Sequence, residues 1–390
     1  MRIAFYAPLK PPDHPIPSGD RQIAQLFLSA LRVAGHEAVL VSRFRSYDGY
    51  GDAHRQARLA IIGKQIAERL LCRYQEFREF TPELWFSYHV YHKAPDWLGP
   101  VVAGGLGVPY IVAEASVTPG QGRGPWTAGH RATESAIRQA DAVIGLNSKD
   151  RDCVLPLLPE PWRWATLKPF VDAATYGRTR EPEEGPPRLI TVAMMRHGDK
   201  LASYRLLGDS LSYLLDLPWS LEVIGDGPAR RDVENALASV NERVLWTGAL
   251  DRPAIATRLA ASDLFVWPAC NEAFGMALLE AQAAGLPVVA GAVGGVEDIV
   301  VPEVTGLLAI PGDGLSFAAA VRSMILDHDR RLEFGRAARR RILLEHDLPV
   351  AARRLTAVID AIGSARAART KHESRFSGPA RLAGSRQSIP

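Results

Sequence analysis

"RIAFYAP" (residues 2–8), "QIAQLFLSALRVAGH" (22–36) and "EAVLVS" (37–42) decide the fold. The first and third are short apolar runs of strand length, rich in β-branched and aromatic residues. Between them, apolar residues recur at three- and four-residue spacing, the signature of an amphipathic helix, and Gly35 ends it. A strand, a helix and a strand of these lengths form a βαβ unit, which implies a parallel sheet.

The pattern recurs along the chain. "LWFSYHV", "GVPYIVAEAS" and "ADAVIGLNS" read as further strands, the last preceded by a helix around residues 128–139. "KPFVDAATYGRTREPEEGPP" is rich in Pro, Glu and Gly and reads as a linker. After it, "RLITVAMM", "LEVIGDG", "RVLWTG", "DLFVWPA", "LPVVAGA" and "TGLLAI" are six β-rich runs alternating with helical segments. The expected architecture is α/β, with two doubly wound Rossmann-like domains facing across a cleft. Residues 1–170 form the N-terminal domain, 171–187 the linker and 188–348 the C-terminal domain. A helix over 349–365 is expected to cross back to the first domain, and 366–390 reads as a basic, disordered tail. Sheets of this kind bind ligands beyond the C-terminal ends of their strands.

Bulk properties agree. A chain of 390 residues is too long for one ordinary core, and 47% hydrophobic with 23% charged residues is a globular profile. A net charge of +3 argues against a dedicated nucleic-acid partner. Cys72, Cys153 and Cys270 are far apart and form no CxxC pair, so neither a disulfide framework nor a zinc site follows. No signal peptide or membrane span is legible, and the expected location is cytoplasmic. The basic segment "DRRLEFGRAARRRILLEHD" is either a solvated face or a peripheral contact with the anionic inner surface of a membrane.

The chemistry centres on "NEAFGMALLEAQAAGLPVVAGAVGG" (271–295), where Glu272 and Glu280 stand eight positions apart. On a helix that is about 12 Å along the axis and about 80° around it, too far for a shared proton or one small metal. Two acceptor-only carboxylates at that separation suit the two ends of a long, hydroxyl-rich ligand. The helix start between them, at Phe274, Gly275 and Met276, offers free N–H groups to a diphosphate. The alternative is two ordinary helix acids.

The segment Glu272-Ala-Phe-Gly-Met-Ala-Leu-Leu-Glu280 resembles the E-x7-E motif of the family 4 retaining glycosyltransferases, the glycosyl transferases group 1 of GT-B fold. "AAGLPVVAGAVGGVEDIV" and "TGLLAIPGD" continue the family pattern. The resemblance is strong over about 250–314, moderate over the rest of the second half and weak in the first. It implies a nucleotide-diphosphate-sugar donor, a hydroxyl acceptor (a saccharide, lipid-linked saccharide or small molecule), retention at the anomeric carbon and no metal or other cofactor.

It also implies roles for particular residues. In "VAMMRHGDK" (192–200), Arg196 and Lys200 match the cations that relatives aim at the donor diphosphate. The spacing is one residue shorter than usual, and Met195 replaces the glycine before the arginine. Gly225 and Gly227 of "VIGDGPAR" match a G-x-G-P loop near the nucleotide; a tight turn before a helix is the alternative. Gly19 and Asp20 fall where relatives carry a loop near the donor phosphates, or else Asp20 caps the helix. His89, closing an apolar run, matches a histidine that meets the donor sugar; His92 lies three residues on, but the pair has no third ligand for a metal. Glu114 and Arg123 sit in a Gly/Pro-rich loop on the acceptor side, and the DxD-like pairs Asp150/Asp152 and Asp327/Asp329 read as helix caps or solvated charge. Two rivals use the same donor grip: a nucleotide-sugar epimerase or hydrolase, and an inactive nucleotide-sugar-binding protein.

Overall fold

The computed structural model describes the whole chain except residues 77–79, 148, 178–184, 273–274 and 377–390. Phe274 and part of the linker therefore lie outside the described residues. The N-terminal half contains β1 (Arg2–Tyr6), α1 (Gly19–Val33), β2 (Glu37–Ser42), α2 (Ala53–Glu76), β3 (Leu84–Val90), α3 (Gly99–Leu106), β4 (Tyr110–Ala115), α4 (Thr127–Gln139), β5 (Ala142–Gly145), α5 (Lys149–Val154) and β6 (Trp164–Thr166). Its strands pair in parallel in the order β2-β1-β3-β4-β5-β6. Ile3, Ala4, Phe5 and Tyr6 are all buried, as expected of a central strand covered on both faces. Helices α2 and α3 and the three-residue edge strand β6 carry no signal that the sequence reading used.

The second half contains β7 (Arg188–Val192), α6 (Asp199–Ser212), β8 (Ser220–Ile224), α7 (Arg230–Ala236), β9 (Val244–Gly248), α8 (Arg252–Ala260), β10 (Leu264–Trp267), α9 (Met276–Ala283), β11 (Val288–Gly291), α10 (Val296–Ile299), β12 (Gly306–Ala309), α11 (Gly314–Leu326), α12 (His328–Arg341) and α13 (Leu348–Phe376). All six β-rich runs of this half are strands, in the parallel order β12-β11-β10-β7-β8-β9. The order reverses between β1 and β3 in one sheet and between β7 and β10 in the other. Crevices open at such points because neighbouring crossovers run to opposite faces.

The chain crosses between the domains twice, and the crossings are bonded side by side. Val171 N–H donates to the His346 carbonyl at 2.9 Å, and Leu348 N–H to the Val171 carbonyl at 2.9 Å. Beyond this point α13 returns to the N-terminal domain. Leu348, Ala351, Leu355, Ile359 and Ile362, at helical spacing, are buried in the same core as Phe27, Phe86 and Ile144. The sequence reading ended this helix at 365; it runs on to Phe376, with Arg366 donating to Asp141 and Arg369 pairing with Glu160. The basic run of α12 is partly engaged inward: Arg331 donates to the Met324 and Ile325 carbonyls, Arg339 to those of Tyr176 and Ala283, and Arg341 pairs with Glu345, whereas Arg336 and Arg340 are exposed. Among the described residues, no helix is long and apolar enough to cross a membrane.

Candidate functional site

The two switch points face each other. Arg196 and Lys200 follow β7, Glu272 follows β10, and opposite them Lys10 follows β1 and His89 lies at the end of β3. Lys200 Nζ is 2.5 Å from Glu272 Oε2, and the Trp267 indole N–H donates to the same oxygen at 3.3 Å. The ammonium also lies 5.3 Å from the centre of the Trp267 ring, a cation–π distance. Ion pair and ring together hold Lys200 at the mouth of the crevice. Arg196 is exposed, and no side-chain partner holds it among the described residues. Lys10 has its ammonium pushed below the ordinary lysine range by burial and then by the nearby charge of Arg196. Cations from both domains thus share one space, the arrangement an anion would relieve.

Glycines 225 and 227 serve this loop from behind. Both have φ of +155°, and a Cβ on Gly225 or Gly227 would run into the carbonyl of Ala193 or Met195. Met195 N–H donates to the Asp226 carbonyl at 3.0 Å, and Ala229 N–H to the Met195 carbonyl at 3.0 Å. The close approach that these glycines permit is to the chain's own backbone. They lock the strand exit that carries Arg196.

Gly275 takes φ of +69° at the N-terminus of α9, and no side chain caps that helix. Met276 packs between the cores of both domains, so its side chain joins them. Glu280 is buried, and its Oε1 accepts from Gln22 Nε2 at 2.5 Å and from the Tyr176 hydroxyl at 2.8 Å. Burial raises its pKa, against the opposing effect of these two donors and of the Arg252 charge. One motif glutamate is thus bonded across the domain boundary, a contact that a motif reading alone does not reveal; its remaining acceptor capacity is what a ligand would find.

In the N-terminal domain, Ser18 rather than Asp20 caps α1, accepting from Arg21 N–H at 3.2 Å. Asp20 instead turns to His89: its Oδ1 lies 3.2 Å from Nδ1, an ion-pair contact without good hydrogen-bond alignment. Gly19 has open space where a Cβ would stand. Glu114 belongs to β4, not to the loop after it, and its Oε1 is 3.9 Å from His89 Nδ1. Burial disfavours a charged His89, but Glu114 and Asp20 outweigh it and raise the pKa to about 9. Burial lifts Glu114 to about 7 in spite of the His89 charge.

Five described non-glycine residues have positive φ, and four of them, His89, Glu114, Ala269 and Asn271, lie at the strand ends around this cleft. Such conformations cost roughly 1–3 kcal/mol each and persist where the surrounding structure holds them, commonly at functional sites. The other candidates are placed elsewhere. His92 packs edge-on against Trp126, and Arg123 is exposed at the end of a 3-10 turn, Pro119–Arg123. Asp150 is bonded to Asn147 at the start of α5, and Asp327 caps α12. Among the described residues, no group of three or more His, Cys, Asp or Glu is placed to hold a metal ion.

Residues 181–341 match the family described as glycosyl transferases group 1. The sulfoquinovosyl transferase SQD2 of Arabidopsis thaliana is 38% identical over 120 residues, 30% of this chain and 23% of that protein. The 2-deoxystreptamine N-acetyl-D-glucosaminyltransferase of Streptomyces fradiae is 28% identical over 216 residues, 52% of this chain and 51% of that one. The aligned segments thus span between 23% and 51% of the length of these two relatives. Among solved structures, sucrose-phosphate synthase from Thermosynechococcus elongatus superposes with a TM-score of 0.71 at 19% identity, covering 93% of this chain and 99% of that one. HepE of Anabaena, in complex with UDP, gives 0.70 at 13% identity, covering 93% and 100%. The fold is that of the GT-B glycosyltransferases. The segment that matches this family carries Arg196, Lys200, Glu272 and Glu280.

Proposed function

We propose that this protein is a retaining glycosyltransferase of the family 4 type, moving a sugar from a nucleoside-diphosphate donor to a hydroxyl acceptor. The observation that carries this reading is the Lys200–Glu272 pair beside the unpaired Arg196, set at one switch point and facing His89 at the other. The two cations would neutralise the diphosphate as it leaves. Glu272 would orient the sugar, His89 would meet the same sugar from the N-terminal domain, and Glu280 would take the ribose. The helices that start at Gly275 and Gly19 are tied together by the Gln22–Glu280 bond. A neighbour of this fold holds UDP-glucose, and the relatives' names describe glycosyl transfer, which support a nucleotide-sugar donor.

In this reaction the bond from the anomeric carbon to the phosphate oxygen breaks on the face where the acceptor oxygen bonds. The acceptor proton passes to the departing phosphate. Domain closure limits hydrolysis by excluding water. Because Arg196 and Lys200 supply the charge that a metal would otherwise provide, transfer is expected to continue in EDTA.

A thermal-shift panel of nucleoside diphosphates and nucleotide sugars tests the donor site, since a ligand at 100 times its Kd stabilises by about 2.7 kcal/mol. No shift with any member would remove the reading. With a donor in hand, NMR of the product's anomeric proton tests retention, and an inverted linkage would refute it.

A further inference from the structure

Glu114 has no part in the chemistry described so far, yet its setting is unusual. The β3–β4 register pairs Tyr88 with Ala113 and Val90 with Ala115, which sets His89 directly across from Glu114. Both residues are in the left-handed region, with φ of 61° and 58°. The two side chains approach each other, with Glu114 Oε1 3.9 Å from His89 Nδ1. Glu114 is only 7% exposed; the Tyr88 hydroxyl lies near its carboxylate, but neither Oε2 nor that hydroxyl makes a well-aligned hydrogen bond. A buried carboxylate left partly unsatisfied costs stability, so packing alone gives no reason for it.

We infer that Glu114 is a positioning residue for His89, orienting the imidazole toward the cleft and balancing its charge from across the β3–β4 pair. The inference deepens the proposed function, because it rests on His89 meeting the donor sugar. A charged, fixed imidazole donates from both ring nitrogens. Nδ1 faces the carboxylates, which leaves Nε2–H to donate to a sugar oxygen. Asp20 from α1 supplies the nearer carboxylate, and the charge of Asp150 on α5 acts on both groups. Tyr88 lies beside Glu114 on β3, Tyr91 beyond it, and Lys10 beside Asp20. Of these, Glu114 alone is paired in register with His89.

The test uses the full chain and needs no substrate. NMR titration of isotopically labelled histidine, with the His89 signal assigned by His89→Gln, is compared in wild type, Glu114→Gln and Asp20→Asn. The wild-type imidazole is expected to titrate well above an ordinary histidine, and Glu114→Gln is expected to lower that midpoint by at least about one pH unit. An ordinary wild-type midpoint would overturn the inference even if Glu114→Gln failed to fold. So would a folded Glu114→Gln with an unmoved midpoint, or a fall confined to Asp20→Asn. Once a donor is known, the basic limb of the kcat/KM–pH profile should move down in Glu114→Gln in step with the titration. A displaced titration with no glycosyl transfer from any donor would refute the proposed function and leave the Glu114–His89 coupling standing.

Discussion

Lys200 and Glu272 stand close enough to neutralise each other, so a phosphate entering the crevice must share or displace an existing bond. Lys200→Ala is expected to lower kcat/KM by about 10²-fold, the usual cost of one transition-state charge donor, with little change in melting temperature. Steady-state kinetics on the folded variant checks this. His89 makes a second prediction. Its folded pKa of about 9 exceeds the free value of 6.5, so the stability it contributes is fully present below 6.5 and is lost as pH rises through 9. The gap in melting temperature between wild type and His89→Gln should therefore shrink steadily over that window. A gap that stays constant would mean that the carboxylates do not hold the imidazolium.

Elements matter here as carriers of loops. The β8–α7 turn is clamped to the exit of β7 by backbone bonds that only glycine at 225 and 227 allows. Gly225→Ala is expected to cost about 2 kcal/mol or more, from the collision with Ala193 and the positive φ together. Urea unfolding measures that cost. The exit loop bearing Arg196 should shift as well, so donor affinity should fall beyond what the stability loss explains. An alanine variant as stable as wild type would show that the loop relaxes freely.

For the molecule as a whole, the decisive element is the last helix, which belongs by sequence to one domain and by packing to the other. Leu355 is buried against the N-terminal sheet. Leu355→Ala is expected to cost about 2–5 kcal/mol and to loosen the N-terminal domain although the residue follows the C-terminal one. Hydrogen exchange at β1 and β3 would report it, and protection lost only in the second half would contradict this account. The bond from Gln22 to Glu280 acts at the same scale, because it ties α1 to the motif helix.

The strand and helix periodicities and the E-x7-E segment were legible from residue order because each depends on near neighbours in sequence, and the recurring strand–helix–strand pattern implied the parallel sheets. The cations at 196 and 200 were singled out by the family resemblance, by type and by position after a strand. Three features were not. The bond of Glu280 to Gln22 and Tyr176, the pairing of His89 with Glu114, and the closeness of Lys10 to Arg196 all join residues distant in sequence. Their energies arise from burial and from charges brought together by packing, and neither exists before the sheets form. Sequence by itself determined the elements and the residue types at the strand ends. Tertiary structure decided which glutamate is bonded across the domain boundary, which is buried beside a histidine, and which glycines brace the chain itself.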